Sequence, residues 1–221
     1  MLRWLKSELR RQQLGRAALP NHTALDSLRY VVLDTELTSL DSRSNRLLSI
    51  GAIAMDGPKI RLGEQFYRIV DPRVPVPPES VVIHQLRSED LKGSEPLART
   101  LQDLRRFVEG TVLVGHFLNI DLKVLRKELG GNRHELDNPA VDTARVHQWI
   151  LRCGQYSEDL PVQLEMLELT TVAKFYGLDV DNAHHALYDA FLTAQVWQKM
   201  MYTIQAKGIR KLSDLLRIGG V

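Results

Sequence analysis

Residues 30–55 read YVVLDTELTSLDSRSNRLLSIGAIAM, and this stretch decides the fold class. Tyr30 to Leu33 is a short apolar, β-branched run that leads straight into Asp34, and Leu47 to Met55 is a second run of strand character. The turn-rich LTSLDSRSN (37–45) separates them, and DGPKIRLGE (56–64) leads to a third strand over Gln65 to Ile69. The chain therefore opens as an antiparallel meander, with Asp34 and Glu36 at the end of its first strand.

Downstream the apolar period changes. Helices are predicted over Leu101–Val108, Leu122–Leu129, Thr143–Leu151, Thr170–Tyr176, Ala186–Ala206 and Leu212–Leu216, with short strands at Val112–Val114 and Ala140–Val141. Strands first and alternating helices and strands afterwards imply an α/β domain, a mixed central sheet flanked by helices. The proline-rich VDPRVPVPPES (70–80) is expected to be irregular.

Leu2, Leu5 and Leu9 recur at helical spacing among basic residues, which predicts a basic amphipathic helix over residues 2–14. Residues 1–26 are accordingly read as an N-terminal extension and 27–221 as the main folded domain. That helix offers a contact for nucleic-acid phosphates, an anionic membrane or a protein partner, or simply packs on its own domain.

A chain of 221 residues suits one sizeable domain, and a composition 44% hydrophobic and 25% charged is that of a globular protein. The net charge of +2 announces no strongly basic nucleic-acid binder by itself. Cys153 is the only cysteine, which excludes an intrachain disulfide and favours a reducing, cytoplasmic setting. No apolar run approaches the roughly 20 residues of a membrane span.

Asp34 and Glu36 lie two apart on a strand and so project to one face, where both can grip a cation. The spacing alone is weak, since Glu135/Asp137 and Asp179/Asp181 share it; the position at the end of an apolar strand sets the first pair apart. Asp121 opens a helix after the apolar TVLVGHFLN (111–119), where an acid at a helix start is the alternative reading. Asp189 lies early in the long helix, five residues after His184. Together these carboxylates form the oxygen-only donor set that Mg²⁺ or Mn²⁺ favours, and a histidine beside them supplies a side chain of the type suited to general-base work.

At this point the chain resembles the DEDDh exonuclease family, which includes bacterial proofreading (epsilon) subunits. VVLDTELTSLD (31–41) is similar to the family's Asp-x-Glu-Thr-Thr-Gly, VGHFLNIDLKVL (114–125) to His-Asn-x-x-Phe-Asp, and HHALYDA (184–190) to His-x-Ala-x-x-Asp. IHQLRSEDL (83–91) and AVDTARVHQW (140–149) resemble two further family segments, so the likeness runs from about Tyr30 to Leu216. A sister class carries tyrosine four residues before the last aspartate; His185 holds that position here, and the family spacing selects His184 as the base.

The resemblance implies an RNase H-like fold and two divalent cations roughly 3.5–4 Å apart. Asp34 would bridge the ions, Glu36 and Asp189 would serve the one that activates water, Asp121 would serve the second, and His184 would deprotonate the water. Thr35, Leu37, Thr38, His84, His116 and Phe117 are expected around the substrate, with a structural role left open for the two histidines. Leu37, Ser39, Phe117 and Ile120 depart from the family pattern, while the five catalytic positions are kept. The implied activity is 3′-to-5′ removal of nucleoside monophosphates from DNA, in replication or repair. RNA trimming by the same chemistry and a silent nucleic-acid-binding or polymerase-docking module are the alternatives, and a polymerase or other protein is the partner expected for the N-terminal helix.

Overall fold

The computed structural model describes residues 19–39, 41, 43–87, 89–130, 136–153, 162–180 and 184–221, so the predicted N-terminal helix lies outside the described residues. Among the described residues five strands form one mixed sheet: β1 (Arg29–Leu37), β2 (Leu47–Asp56), β3 (Lys59–Ile69), β4 (Val112–Gly115) and β5 (Ala140–Asp142), in the order β3-β2-β1-β4-β5. The first three pair antiparallel, as the meander predicts, while β4 and β5 run parallel to β1.

Seven α-helices are described: α1 (Pro78–His84), α2 (Leu97–Phe107), α3 (Asn119–Glu128), α4 (Thr143–Arg152), α5 (Leu169–Phe175), α6 (Ala186–Ala206) and α7 (Leu212–Gly219). The alternation along β1 explains how they divide. Tyr30 and Val32 join a core cluster with Trp197 of α6, Val146 of α4 and Leu215 of α7. Val31 and Leu33 join another with Leu104 of α2 and Leu122 and Leu125 of α3. A central strand covered on both faces reads as one apolar run, which is why YVVL lacks alternation.

Two expectations need correction. β3 begins at Lys59, six residues before the predicted start, because Gly57 and Pro58 alone make the turn and Asp56 pairs with Lys59. Gly57 supplies the positive φ of 52° that a two-residue hairpin needs, and a Cβ there would lie 2.5 Å from the Asp26 carbonyl oxygen. The polar KIRLGE hides a strand because much of this edge faces solvent. The proline-rich stretch also ends in a helix rather than staying irregular: Pro78 takes the first helical position of α1, where a missing N–H costs nothing.

Residues ahead of β1 are stitched to the other end of the chain. Leu25 N–H donates to Arg210 O, while Leu212 N–H donates to Thr23 O and Ser213 N–H to Asn21 O. Among the described residues no helix is long and apolar enough to cross a membrane.

Candidate active site

The apolar stripe of β1 that packs on α6 continues along the same face as Asp34 and Glu36. In the register of the sheet, Asp34 lies beside Gly51 of β2, and Gly51 beside Tyr67 of β3. The first turn of α6 crosses directly over Gly51: a Cβ built there would sit 2.2 Å from the carbonyl carbon of Ala186 and 2.2 Å from Leu187 N. Only a glycine lets the helix start settle so low on the sheet. That descent carries Asp189, in the first turn, to the carboxylates of β1. Asp34, Glu36 and Asp189 each offer a carboxylate oxygen, all lying within 4.8 Å of one another.

Asp121 arrives from the opposite layer. It is buried in the first turn of α3, and its Oδ1 accepts a hydrogen bond of 2.6 Å from the Thr35 hydroxyl. Thr35 points away from the face bearing Asp34 and Glu36, so this bond hooks α3 to the strand from behind. Asp121 stands outside the tight group of three, yet near enough for its charge to act on both Asp34 and Glu36.

The electrostatics of this cluster demand a counter-charge. Burial, followed by the negative charge of Asp121, Asp189 and Glu36, holds the Asp34 carboxyl well above the ordinary range, although the residue keeps part of its surface open. Glu36 is pushed up to about 7 by burial and then by Asp189 and Asp121. Asp121 is also raised to about 7 by burial, against the pull of the Thr35 hydroxyl bond. Asp189 is raised by burial too, offset in part by the His184 N–H and by both histidines. Carboxyls that resist ionisation together either hold protons or hold cations. Oxygen-only donors in this number suit a hard divalent cation such as Mg²⁺ or Mn²⁺.

The adjacent histidines occupy distinct settings. His185 is the N-cap of α6: its Nδ1 accepts from Tyr188 N–H at 3.4 Å, and its ring stacks on Tyr67 with centroids 4.8 Å apart. His184 is exposed, adopts a left-handed φ of 72°, and donates its backbone N–H to Asp189 Oδ2 at 2.8 Å. It therefore stands at the rim of the acidic cluster.

The remaining sequence-predicted residues divide between the rim and the scaffold. Leu37 is buried in the core shared with α2 and α3, and the Thr38 hydroxyl accepts from Arg46 N–H at 2.9 Å to close the β1–β2 loop. His116 is buried with both ring nitrogens engaged, Nδ1 with Thr143 Oγ1 at 2.8 Å and Nε2 with Leu167 O at 2.6 Å. Burial lowers its pKa to about 4, so the ring is neutral, donating from Nε2 to the carbonyl and accepting at Nδ1. His84 is buried at the end of α1, where its Nδ1 accepts from Leu86 N–H at 3.0 Å.

Phe117 is half-buried with a φ of 52° and donates its N–H to Asp142 Oδ1 at 3.1 Å. It lines a cleft of about 280 Å³ with Asn119, Ile120, Asp142, Arg145 and Leu167. Two positioning residues escape a linear reading. Gly51 looks like an ordinary strand glycine until α6 is laid over it, and Asp142 caps α4 through Ala144 N–H while it holds the Phe117 turn.

A family model described as exonuclease matches residues 31–197, the span that contains every one of these carboxylates and His184. The chain belongs to the exonuclease family. The expected family and enzyme class are thereby borne out: this exonuclease is a phosphodiester hydrolase. It is 27% identical over 190 residues to the PolC-type DNA polymerase III of Clostridium perfringens, covering 84% of this chain and 12% of that protein. It is 27% identical over 206 residues to the DNA polymerase III subunit epsilon-like protein of Rhodobacter capsulatus, covering 91% of this chain and 28% of that protein. The exonuclease thus spans well under a third of those relatives' length.

Among solved structures, E. coli exonuclease I in complex with a dT13 oligonucleotide matches with a TM-score of 0.68 and 19% identity, covering 81% of this chain and 42% of that one. Exonuclease X in complex with 5′ overhanging duplex DNA matches with a TM-score of 0.57 and 21% identity, covering 80% and 92%. These likenesses establish the RNase H-like fold of the exonuclease, as expected from its sequence.

Proposed function

We propose that this chain is a 3′-to-5′ exonuclease that releases nucleoside monophosphates from single-stranded DNA during replication or repair. Asp34, Glu36 and Asp189 would hold one divalent cation and Asp121, with Asp34, a second. The observation that carries this reading is the convergence of three carboxylates within 4.8 Å at the mouth of the sheet, with Asp121 hooked in behind them. Its DNA substrate is supported by relatives that are named as DNA polymerase III proteins.

When bound, Mg²⁺ or Mn²⁺ supplies Lewis-acid activation of water and neutralises charge on the phosphoryl oxygens and leaving oxygen. The side chains do the rest. The clustered carboxylates fix the cations' position, and their resistance to shared ionisation makes the site favour cations once pH removes their protons. His184, exposed at the rim and tied to Asp189 through its backbone, takes the proton from the attacking water. The ring of His185 is committed elsewhere, stacked on Tyr67 and capping α6, and leaves the base role to His184.

The test is time-resolved digestion of 5′-labelled single-stranded DNA and of RNA of equal sequence, with Mg²⁺, Mn²⁺ or chelator, beside Asp34→Ala and His184→Ala. The expected result is a metal-dependent ladder shortening from the 3′ end, faster on DNA and lost in both variants. Equal or faster loss of RNA overturns the DNA assignment, and no cleavage of either polymer by folded protein overturns the exonuclease reading.

A further inference from the structure

A strand whose 3′ end enters a cluster of carboxylates must leave across the surrounding surface, and a polyanion leaves most favourably over cations. The two sides of this cluster differ. Towards β3, Tyr67 faces the negative charge of Glu36 and Asp90. Towards α3 the surface is basic.

The outer stripe of α3 is Ile120, Lys123 and Lys127, spaced three and four residues apart and all exposed, while Asp121, Leu122, Val124 and Leu125 turn inward. The stripe starts next to Asp121 and extends for about 10 Å along the helix at about 1.5 Å per residue. At its far end the Lys127 ammonium donates to Asn45 O at 3.1 Å and Arg43 O at 3.5 Å, joining the β1–β2 loop to the helix. Arg43 is exposed beside this joint, and Arg46 is half-exposed.

Besides Asp121, the acids among the described residues of α3 and the β1–β2 loop are Asp41 and Glu128. The Asp41 carboxylate is already engaged by Arg43 N–H and the Ser44 hydroxyl, and Glu128 is half-buried. Positive charge therefore predominates along a line from the catalytic acids to the loop, and Lys127 fixes the two segments that carry it.

We propose that Lys123, Lys127, Arg43 and Arg46 form a phosphate rail that holds the backbone of single-stranded nucleic acid upstream of the nucleotide being released. The proposal rests on the exonuclease reading for the direction of the strand. Its contacts are to phosphates, so the rail is indifferent to base sequence and sensitive to salt. Lys127 sets the geometry of the rail, while Lys123 and Arg43 are its free ends.

The test is fluorescence anisotropy of a labelled oligothymidylate of about 20 nucleotides, longer than the sites of about 4–16 nucleotides common for single-strand binders. Wild type, Arg43→Gln/Lys123→Gln and a control, Arg99→Gln/Arg217→Gln, are titrated in chelator over a range of salt, with thermal unfolding to verify folding. The rail variant is expected to bind at least about tenfold more weakly, with the slope of log affinity against log salt flatter by about 0.7 for each lost cation. A rail variant with wild-type affinity and slope overturns the proposal, as does an equal loss in the control. Hydrolysis of the p-nitrophenyl ester of thymidine 5′-phosphate with Mn²⁺ is measured separately. A wild type that binds through the rail but cleaves neither ester nor strand overturns the exonuclease reading and leaves the rail standing.

Discussion

The Thr35 hydroxyl donates to Asp121 Oδ1 at 2.6 Å, joining two residues 86 positions apart on the face of the sheet that α3 covers. Within the first motif Asp34 and Glu36 face the cluster, while the intervening Thr35 faces the helix that delivers Asp121. Thr35 thus acts on the carboxylates from behind.

Thr35→Val keeps the shape of the side chain and removes this bond. The Mn²⁺ concentration for half-maximal activity is expected to rise roughly tenfold, in keeping with the loss of one hydrogen bond to a charged group. Thr35→Ser should restore most of the affinity. A metal titration of activity checks both, and an unchanged midpoint in Thr35→Val would remove Thr35 from the positioning of Asp121.

Gly51→Ala places a methyl group 2.2 Å from the backbone of Ala186, so the start of α6 must lift and take Asp189 with it. The expected cost is about 1–3 kcal/mol of stability and a fall in kcat of about 100-fold, since small displacements of reacting groups are expensive. Gly63→Ala is the control, because nothing lies within 4 Å of a Cβ there. Thermal unfolding and steady-state kinetics of the two variants make the comparison.

The pH dependence of metal-free stability has an unusual sign. Asp34, Glu36 and Asp121 are raised in the folded state, Glu36 and Asp121 to about 7, so between about pH 4 and 7 the folded protein binds more protons than the unfolded chain. Stability from Glu36 and Asp121 is present below the ordinary carboxylate range and is lost as pH rises towards about 7, and Asp34 contributes in the same direction. In chelator the melting temperature should therefore drop between pH 5.5 and pH 8. Added Mg²⁺ should raise it more at the higher pH, where the cation replaces no protons. Differential scanning fluorimetry with and without Mg²⁺ decides this, and a metal effect larger at low pH would contradict it.

His184 and His185 should separate in the same assays. His184→Ala is expected to lower kcat by roughly 100- to 10,000-fold, the usual contribution of a general base, and to leave unfolding nearly unchanged. His185→Ala removes the α6 cap and the stack on Tyr67, and should cost about 1 kcal/mol, or about 2–4 °C in melting temperature. A reversal of these two patterns would exchange their roles.

His116→Ala removes a buried neutral ring that joins Thr143 to Leu167. Burial holds its folded pKa at about 4, below the ordinary histidine value of about 6.5, so its contribution to stability is full at neutral pH and is lost as pH falls from about 6.5 towards 4. His116→Ala should accordingly lose about 2–3 kcal/mol at pH 7.5 and less near pH 5, measured by denaturant unfolding.

Much of the fold was legible because the strands and helices differ in period. The meander, the long helix over Ala186–Ala206 and the covered central strand all leave their mark in the order of apolar residues. The start of β3 and the helix α1 did not, since a solvent-facing edge strand needs no apolar alternation and a proline that opens a helix looks like one that breaks it.

By itself the sequence determined the fold class, the family motifs and the carboxylates and histidine that stand at the ends of elements, because these depend on local period and residue order. Only the tertiary structure decided which residue acts on which. It set Gly51 beneath α6, turned Thr35 towards Asp121, gave the ring of His185 to a cap and the ring of His116 to the scaffold, and laid Arg43 alongside Lys127. The reason is physical: each of these relations spans a contact between segments distant in the chain, and a contact of that kind is fixed by packing, to which no local spacing refers.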